Sequence, residues 1–414
     1  MPAPLRIDPE LQPIAATDPA VFVRQAFEGV PLAPLIQERL ASLKPGAAGA
    51  AGLLELGTLF QLVNDRARAL ECQRLALGTG RLFRHGHAGR SGLRLLMLVT
   101  AGDLMTNTPL ELMVEGREVE VTRLFLSADA PLPEAVPDHD LAVMAISESD
   151  ETRPLLEQLV GIEARWPRPM LNRAGEVLEL ARDRLYAGLE DAPGIVIPPT
   201  WRLPRAELAA SLPALPIILR PVGSHAGKAL ERIDSEAGLA AYLAAEPAEL
   251  FYASPFVDYA GRDGLFRKYR IALFGGRPYL CHMAVSGHWM VHYLNAGMAE
   301  DAKKRGEEQA AMEGFDKDFG RRHAAAFADL HQRLGLDYFA IDCAETPDGG
   351  LLIFEADVAM IVHDLDPATL YPYKKVQMAK VFDAFETLLR ELAPGSRTAR
   401  KAAASEVNMT FASG

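Results

Sequence analysis

The sequence predicts a multidomain fold in which an α/β unit and an α+β unit follow a helical N-terminal region. Helical periodicity marks residues 1–90, apolar strand-like runs alternate with helices in residues 91–175, and strand pairs joined by glycine turns occupy much of residues 176–392. The last residues, 393–414, are small and polar and are predicted to form a flexible tail. A chain of 414 residues is long enough for such an arrangement of two or three domains.

Composition is that of a globular protein from a reducing compartment. The net charge of -12 argues against a nucleic-acid-binding surface, so no nucleic-acid partner is expected. The first residues lack a signal-peptide pattern, and no uncharged apolar run reaches the length of a membrane span, so no membrane association is expected. The three cysteines, Cys72, Cys281 and Cys343, are far apart, which favours a cytoplasmic location and gives no thiolate metal site.

The N-terminal region is predicted to be helical because apolar residues recur at helical spacing in 33–43, 50–63 and 66–83. Gly57 and the small residues that follow it loosely match one tetratricopeptide-like helix pair, although a helical extension packed on the next domain fits equally well. Such a region could recognise a peptide or form a homodimer. The glycine-rich stretch 85–92, which contains two histidines, is predicted to be a linker.

The second segment has the alternation of a parallel sheet. The apolar runs of strand length are 93–100, 118–126, 139–147 and 168–172, and a helical segment at 151–162 separates the last two of these runs. A Rossmann-like unit is therefore predicted. The first strand is not followed by GxGxxG, so dinucleotide binding is not indicated.

The third segment combines helices with strands that are expected to pair antiparallel. The predicted elements are a helix at 176–191, strands at 216–233 and 249–259, a hairpin at 268–293, a helix at 323–335 and a hairpin at 337–357. The two hairpins turn at Gly275-Gly276 and at residues 347–350.

Three carboxylates interrupt the apolar pattern of the last hairpin. Glu355 and Asp357 lie two residues apart and therefore share a strand face, and Asp342 falls roughly opposite Glu355. Carboxylate oxygens that converge in this way suit Mg²⁺ or Mn²⁺. The alternative is that these acids cap loops or pair with arginine.

A glycine-rich loop follows a basic residue at the end of a predicted strand. Arg220 precedes the loop residues Gly223, Ser224, His225, Gly227 and Lys228. Such a loop allows close backbone approach to phosphates, although it lacks the GxxxxGK[ST] pattern and an ordinary β-turn would also explain its glycines.

A possible nucleotide hinge lies at the end of the strand 249–259. Its residues are predicted to offer backbone groups to an adenine edge, apolar side chains to the adenine faces, and a carboxylate to a ribose: Ser254, Pro255, Phe256, Val257 and Asp258. An ordinary edge strand that contains a proline is the alternative.

From about Leu93 to Leu392, the order of these motifs resembles the ATP-grasp superfamily, in particular ligases of the glutathione-synthetase and ribosomal-protein-S6-modifying type. The resemblance implies a Rossmann-like pre-ATP-grasp domain before an ATP-grasp domain made of two α+β subdomains. It implies ATP and two Mg²⁺ ions, with Mn²⁺ as a substitute, and metal ligation by Asp342, Glu355 and Asp357. Asp357 stands where such ligases usually carry Asn.

The same resemblance assigns the basic residues. Arg184 and Arg220 stand where the family has phosphate-binding lysines, and arginine also clamps phosphates well. His225 and Lys228 would close over the γ-phosphate. Lys268 would approach phosphate or ribose, and Arg270 and Asn295 would act at the transferred phosphate.

The implied reaction joins a small-molecule or peptide carboxylate to an amine, through an acyl-phosphate, with release of ADP and phosphate. Two alternatives remain open at this point. The same pocket could serve a phosphotransferase, or the protein could be a non-catalytic module that senses nucleotide and binds a partner through its N-terminal region. The sequence does not identify the carboxylate or the amine.

Overall fold

The structure, a computed structural model, describes residues 4–86, 92–224 and 227–393. Its contacts divide the chain into two compact units. Unit 1 comprises Met1–Val177, Leu336–Tyr338 and Val358–Gly414, and unit 2 comprises Leu178–Gly335 and Phe339–Asp357. The tail predicted at the C-terminus lies, from residue 394 onward, outside the described residues, as do His87 and His225.

The described residues form helices and strands in close alternation. The helices are α1 (Pro19–Phe27), α2 (Leu32–Ala41), α3 (Ala47–Leu62), α4 (Arg66–Leu77), α5 (Glu111–Val114), α6 (Arg153–Glu163), α7 (Ala174–Leu178), α8 (Arg182–Leu189), α9 (Leu208–Ser211), α10 (Glu236–Ala245), α11 (Ala302–Gly314), α12 (Phe319–Arg322), α13 (Ala324–Leu334) and α14 (Lys374–Leu392). The strands are β1 (Arg6–Ile7), β2 (Ile14–Ala15), β3 (Leu82–Gly86), β4 (Leu93–Thr100), β5 (Val119–Leu126), β6 (Ala135–Val136), β7 (Leu141–Met144), β8 (Met170–Leu171), β9 (Ile195–Val196), β10 (Trp201–Pro204), β11 (Ile217–Pro221), β12 (Glu231–Ile233), β13 (Leu250–Pro255), β14 (Phe266–Phe274), β15 (Arg277–Ser286), β16 (Tyr338–Glu345) and β17 (Leu351–Asp357). The predicted mixture of α/β and α+β architecture is confirmed.

Unit 1 is built on a six-stranded sheet in the order β2-β3-β5-β4-β7-β8. The strands β5, β4, β7 and β8 pair in parallel, as the Rossmann-like prediction requires. Residues 95–99 of the central strand β4 are all apolar and buried because both faces of the strand are covered, which is the pattern of a buried parallel strand.

The sequence prediction for residues 82–86 is wrong, because it placed them at the end of a helix and the start of a linker. They form β3, which pairs antiparallel with β5 and parallel with β2. The helix stops at Leu77, and Phe83 and His85 are buried in the sheet. Pairing with a neighbouring strand has overridden the local helical pattern, as it often does for short segments.

Helices α3 and α4 form a closely packed pair. Gly57 makes the approach possible, because a Cβ at this position would lie 3.2 Å from Gln73 and 3.3 Å from the carbonyl oxygen of Ala69. Asp65 caps α4 by accepting a hydrogen bond from the backbone N–H of Arg68. The tetratricopeptide-like character of this pair stays a prediction, since one helix pair does not make a repeat.

Unit 2 contains two sheets, with the orders β10-β13-β11-β12 and β15-β14-β16-β17-β9. The predicted hairpins at Gly275-Gly276 and at residues 347–350 are confirmed as β14–β15 and β16–β17. The single strand predicted for 216–233 is wrong, because the glycine-rich loop folds it into β11 and β12, which pair antiparallel. The helix predicted for 176–191 is likewise interrupted between α7 and α8.

Across the described parts of the chain, no helix combines the length and the hydropathy needed to cross a membrane.

Within unit 1, Asn172 ties the end of β8 to the start of β16. It is buried, has a left-handed backbone conformation with φ of 59°, and exchanges two hydrogen bonds with the backbone of Tyr338, at 2.7 and 2.9 Å. Asn64 has the same φ of 59° but is exposed. Substitution of Asn64 therefore measures the effect of the backbone conformation alone, whereas substitution of Asn172 measures that effect together with the loss of the hydrogen bonds to Tyr338.

We expect Asn172→Ala to lower the free energy of unfolding by about 3 kcal/mol, because it strands two buried backbone groups as well as straining the backbone. Asn64→Ala, the matched control, should cost only about 1 kcal/mol, since only the backbone conformation is affected. Urea unfolding followed by circular dichroism measures both values. Equal losses in the two variants would show that the bonds to Tyr338 contribute little.

Candidate functional site

The hairpin β16–β17 sets the position of the acidic residues. Its register places Asp342 directly opposite Glu355, and Asp357 opposite Ala340. The register shifts after Asp342, so the side chains of all three acids share one face of the sheet. Asp342 is fully enclosed, with 2% of its surface exposed. A buried carboxylate of this kind requires charged or hydrogen-bonding partners.

The neighbouring strand β14 supplies partners for Asp342. The Nζ of Lys268 donates to Oδ2 at 2.8 Å, and Arg270 donates from Nε to Oδ1 at 2.8 Å and from Nη2 to Oδ2 at 3.0 Å. Lys268 and Arg270 are two residues apart and so project from one strand face. Burial alone would raise the pKa of Asp342, but the charges of Arg270 and Lys268 outweigh burial and hold this pKa well below its usual value.

Glu355 is paired with Arg182, which begins α8. Arg182 donates from Nη1 to the carbonyl oxygen of Phe354 at 3.0 Å and from Nη2 to the carboxylate of Glu355. Burial raises the pKa of Glu355, while the charge of Arg182 lowers it, and the net result is a pKa below the usual value. Glu355 therefore stays ionised at neutral pH.

Arg182, which pairs with Glu355, was not predicted from the sequence, which indicated Arg184 as the phosphate-binding residue of this helix. The structure does not bring Arg184 to the carboxylates, because its side chain is 45% exposed and pairs with Glu179 at 2.8 Å. A signal was present in the sequence. Arg182 lies three residues before the buried Leu185 and seven before the buried Leu189, so it shares their face of the helix, whereas Arg184 does not.

Arg220 lies at the end of β11 and is held by the loop that follows. Its Nε donates to Oγ of Ser224 at 3.1 Å, and its Nη2 donates to the carbonyl oxygen of Ser224. Gly223 and Gly227 have φ of 76° and 74°, which allows the loop to turn back on the strand. Burial, reinforced by the charge of Arg182, lowers the pKa of Arg220 to about 9.

The predicted hinge follows β13. Ser254 and Pro255 pair with β11, the backbone N–H of Phe256 donates to the carbonyl oxygen of Pro216 at 3.0 Å, and Val257 packs on an apolar cluster. The ring of Phe256 makes an edge contact with Trp289, and Arg232 lies 4.2 Å from its centroid.

The remaining predicted residues, Asp258, Lys228 and Asn295, are exposed. Asp258 is exposed and accepts a hydrogen bond from the backbone of Ala260. Lys228 and Asn295 are also exposed, and within the described part of the chain neither hydrogen-bonds to Asp342 or Glu355. These loop residues are therefore at the surface, whereas Asp342 is enclosed.

His292 is a member of the site that the predicted residue set lacked. Burial lowers its pKa, and the nearby charges of Lys268 and Arg270 lower it further. His292 is therefore neutral at pH 7 and can accept or donate a hydrogen bond without adding charge. The sequence shows three histidines in this segment, His282, His288 and His292, but nothing in their spacing distinguishes His292 from the other two.

The acidic residues have the donor atoms of a divalent-cation site but not its grouping. Oxygen donors on Asp342 and Glu355 face each other across the hairpin, which is the donor chemistry that Mg²⁺ prefers. Within the residues that the structure describes, however, no three His, Cys, Asp or Glu side chains are grouped closely enough to hold a metal ion. The oxygens bond instead to Lys268, Arg270 and Arg182, so metal binding requires these cations to change partners.

Comparisons with known proteins concern the fold. No family model matches the chain, and no curated protein matches it. A RimK-domain ATP-grasp protein from Sphaerobacter thermophilus DSM 20745 is similar over 70% of this chain and 98% of its own, with 18% identity and a TM-score of 0.40. The VanG D-Ala:D-Ser ligase from Enterococcus faecalis is similar over 72% and 100%, with 12% identity and a TM-score of 0.45. The D-alanine-D-alanine ligase from Coxiella burnetii is similar over 77% and 99%, with 10% identity and a TM-score of 0.43.

We expect Asp342→Asn to lower the free energy of unfolding by about 3 kcal/mol, because the change leaves two partly buried cations without their buried counter-charge. Glu179→Gln, which removes a surface ion pair with Arg184, should change it by less than about 1 kcal/mol. Chemical unfolding at pH 7 measures both. A loss below 1 kcal/mol in Asp342→Asn would contradict the importance of this pairing.

The loss of stability in Asp342→Asn should depend on pH. Because the folded pKa of Asp342 lies below the usual value of 3.8, its stabilisation is fully present above that value and is lost as the pH falls through the folded pKa. The stability difference between the wild type and Asp342→Asn should therefore be constant from pH 5 to pH 7 and narrow below about pH 4. A difference that widens on acidification would contradict the assignment.

Proposed function

We propose that this protein is an ATP-dependent ligase that joins a carboxylate to an amine. The observation that carries the proposal is the partly buried group in which Lys268 and Arg270 bind the enclosed Asp342 while Arg182 binds the facing Glu355. Arg220 is close enough to affect the pKa of Glu355. The order of sequence motifs, which resembles the ATP-grasp superfamily, supports the same reaction class.

The charges of this group suit a polyphosphate. Arg182, Arg220, Lys268 and Arg270 provide four positive charges against the three carboxylates of Asp342, Glu355 and Asp357, so one positive charge is in excess before any ligand binds. His292 adds none because its pKa is lowered. Preorganised cations in a buried site stabilise charge that develops during phosphoryl transfer.

The reaction then has two steps. In the first, an oxygen of the substrate carboxylate attacks the γ-phosphorus of ATP, the bond to the β-γ bridging oxygen breaks, and ADP leaves. In the second, the amine attacks the acyl carbon, phosphate leaves with the bonding electrons, and the amine loses a proton. Arg220 and Arg270 would hold the phosphate oxygens in both steps, since guanidinium groups bind them in a bidentate manner.

The carboxylates have a separate task. Because the three acids do not form a closed metal site in the described structure, Asp342, Glu355 and Asp357 would hold Mg²⁺ only after their side chains regroup. The ion would supply positive charge to phosphate oxygens when it is bound. For this to occur, Lys268, Arg270 and Arg182 would turn from the carboxylates to the phosphates. The ion pairs of the structure thus keep the buried acids neutralised, and they hold the cations beside the place where a phosphate would lie.

The cellular location and the acceptor are proposed with the reaction. All three cysteines, Cys72, Cys281 and Cys343, are buried free thiols, which is consistent with a cytoplasmic protein. The carboxylate and amine are proposed to be small molecules or peptides.

An assay of ADP release with panels of amino acids and peptides separates the reaction classes. ADP release that requires an amine supports a ligase, release with a hydroxyl acceptor supports a phosphotransferase, and binding of ATP without turnover supports a nucleotide sensor.

We expect Arg182→Gln to reduce the rate of ADP release at least tenfold, because it removes a cation from the buried group and leaves Glu355 without its partner. Arg184→Gln is the matched control on the same helix and should keep the wild-type rate, since among the residues that the structure describes Arg184 forms an ion pair only with the surface residue Glu179. Steady-state kinetics with a coupled ADP assay measures both. The reverse ranking of the two variants would refute the assignment.

The metal assignment has its own test in Glu355→Gln. This variant should retain its circular dichroism spectrum while losing Mg²⁺-dependent turnover, because the amide is a poorer ligand for Mg²⁺ than the carboxylate. Turnover at the wild-type level would contradict a role for Glu355 in metal binding.

A further inference from the structure

Unit 1 contains a small cavity that the proposed ligase reaction does not use. It lies between one face of the parallel sheet and the helices α1 and α3, and has a volume of about 90 Å³. One part of its wall is apolar and includes Val23, Leu54 and Leu112. Another part is charged and includes Asp103, Glu111 and Arg123. The cavity is therefore amphipathic.

The position of the cavity in the sheet favours ligand binding. The strand order is β2-β3-β5-β4-β7-β8, so the strand that follows β4 in the sequence, β5, lies on one side of β4. The later strand β7 lies on its other side, and the direction of chain progression therefore reverses at β4. Ligands of open α/β sheets bind outside the carboxyl ends of the strands at such a point. Thr100, which ends β4, and Asp103 in the following loop both line the cavity.

The charged part of the wall is largely fixed by internal pairs. Arg123 donates from Nε to Oε1 of Glu111 at 2.7 Å, and Nε2 of His85 lies 3.4 Å from the same oxygen. Burial raises the pKa of Glu111, but the charges of Arg123 and His85 lower it, to about 2. Glu111 and Arg123 therefore cancel each other and leave no net charge between them.

Asp103 adds a charge that has no such partner. Its Oδ1 accepts hydrogen bonds from the backbone of Met105 at 2.9 Å and from the hydroxyl of Thr106 at 3.2 Å, but within the described residues it forms no ion pair. Asp18, which caps α1, adds a second carboxylate close to Glu111 and Arg123. The surroundings of the cavity are therefore negative in balance, which favours a cation.

We propose that this cavity binds a small primary ammonium compound, with its nitrogen at Asp103 and its alkyl chain against Val23, Leu54 and Leu112. A dry cavity of about 150 Å³ holds benzene, so about 90 Å³ accommodates roughly four non-hydrogen atoms. n-Propylamine has this size and is charged at neutral pH. The inference rests on unit 1 alone and does not depend on the proposed ligase activity.

Ligand-observed NMR of the full chain, without nucleotide or metal, tests the chemistry. Three probes of similar size are compared: n-propylamine hydrochloride, 1-propanol and sodium propionate. We expect saturable binding of the amine, binding of the alcohol at least tenfold weaker, and no binding of the carboxylate. Failure of the amine to saturate, or binding of propionate or propanol as tight as that of the amine, would overturn the proposal.

Variants then test the location. Asp103→Asn keeps the Oδ1 acceptor of the loop and removes the charge, so the affinity for n-propylamine should fall at least tenfold. Asp129→Asn, a change at an exposed loop carboxylate that does not line the cavity, is the matched control and should bind like the wild type. Thr58→Phe, which fills the cavity from a partly exposed position on α3, should abolish binding. Wild-type affinity in Asp103→Asn or in Thr58→Phe would place the amine elsewhere.

Nucleotide binding by the same variants separates the two proposals. Asp103→Asn should bind ATP as the wild type does, because Asp103 belongs to unit 1 and the basic group belongs to unit 2. Amine binding by a protein that does not bind ATP would support the cavity site and refute the ligase. ATP-dependent ligation by a protein that shows no amine binding at this cavity would support the ligase and refute the cavity site.

Discussion

The arrangement of unit 2 depends on the need to neutralise Asp342. A carboxylate that is 2% exposed needs charged or hydrogen-bonding partners, and Lys268 and Arg270 supply them to both of its oxygens from the adjacent strand. This requirement constrains the sheet order, because β14 must lie beside β16 for the two side chains to reach Asp342. It also constrains register, since a shift by one residue would turn either strand's charges to the opposite face.

The same logic explains what could be predicted from the sequence. The turn at residues 347–350 predicts that β16 pairs with β17, but it sets Glu345 opposite Leu351, and unbroken pairing from there would set Asp342 opposite Phe354. The predicted opposition of Asp342 and Glu355 is confirmed, but it depends on the register shift between Asp342 and Cys343, which the turn does not specify. The partner strand was not predictable in this way, because no short turn joins β14 to β16. Likewise β3 was missed, since its strand character comes from pairing with β5, which lies more than thirty residues away in the sequence. Contacts that are local in sequence were therefore found more readily than distant ones.

Charge balance distinguishes the two candidate sites more clearly than the residue types do. Both contain buried carboxylates paired with arginine, Glu111 with Arg123 in unit 1 and Asp342 with Arg270 in unit 2. In unit 2 the cations that are grouped around Asp342 and Glu355 outnumber the acids, which is why a polyanion is proposed as the ligand there. In unit 1 the acids outnumber the arginine, and a small cation is favoured. A buried ion pair by itself indicates neither, because its own charges cancel.

The exchange at residue 357 can be understood in the same terms. Resemblance to the ATP-grasp superfamily implies Asn at this position, and Asp357 adds a negative charge to a face that already carries Asp342 and Glu355. Like charges on one strand face repel each other unless a cation compensates. Arg182 provides such a charge, because it binds Glu355 directly and lies at the start of a helix whose buried face fixes its direction. Removal of Arg182 alone would leave Glu355 without its direct partner, and the acids on this face would lose one of their compensating charges.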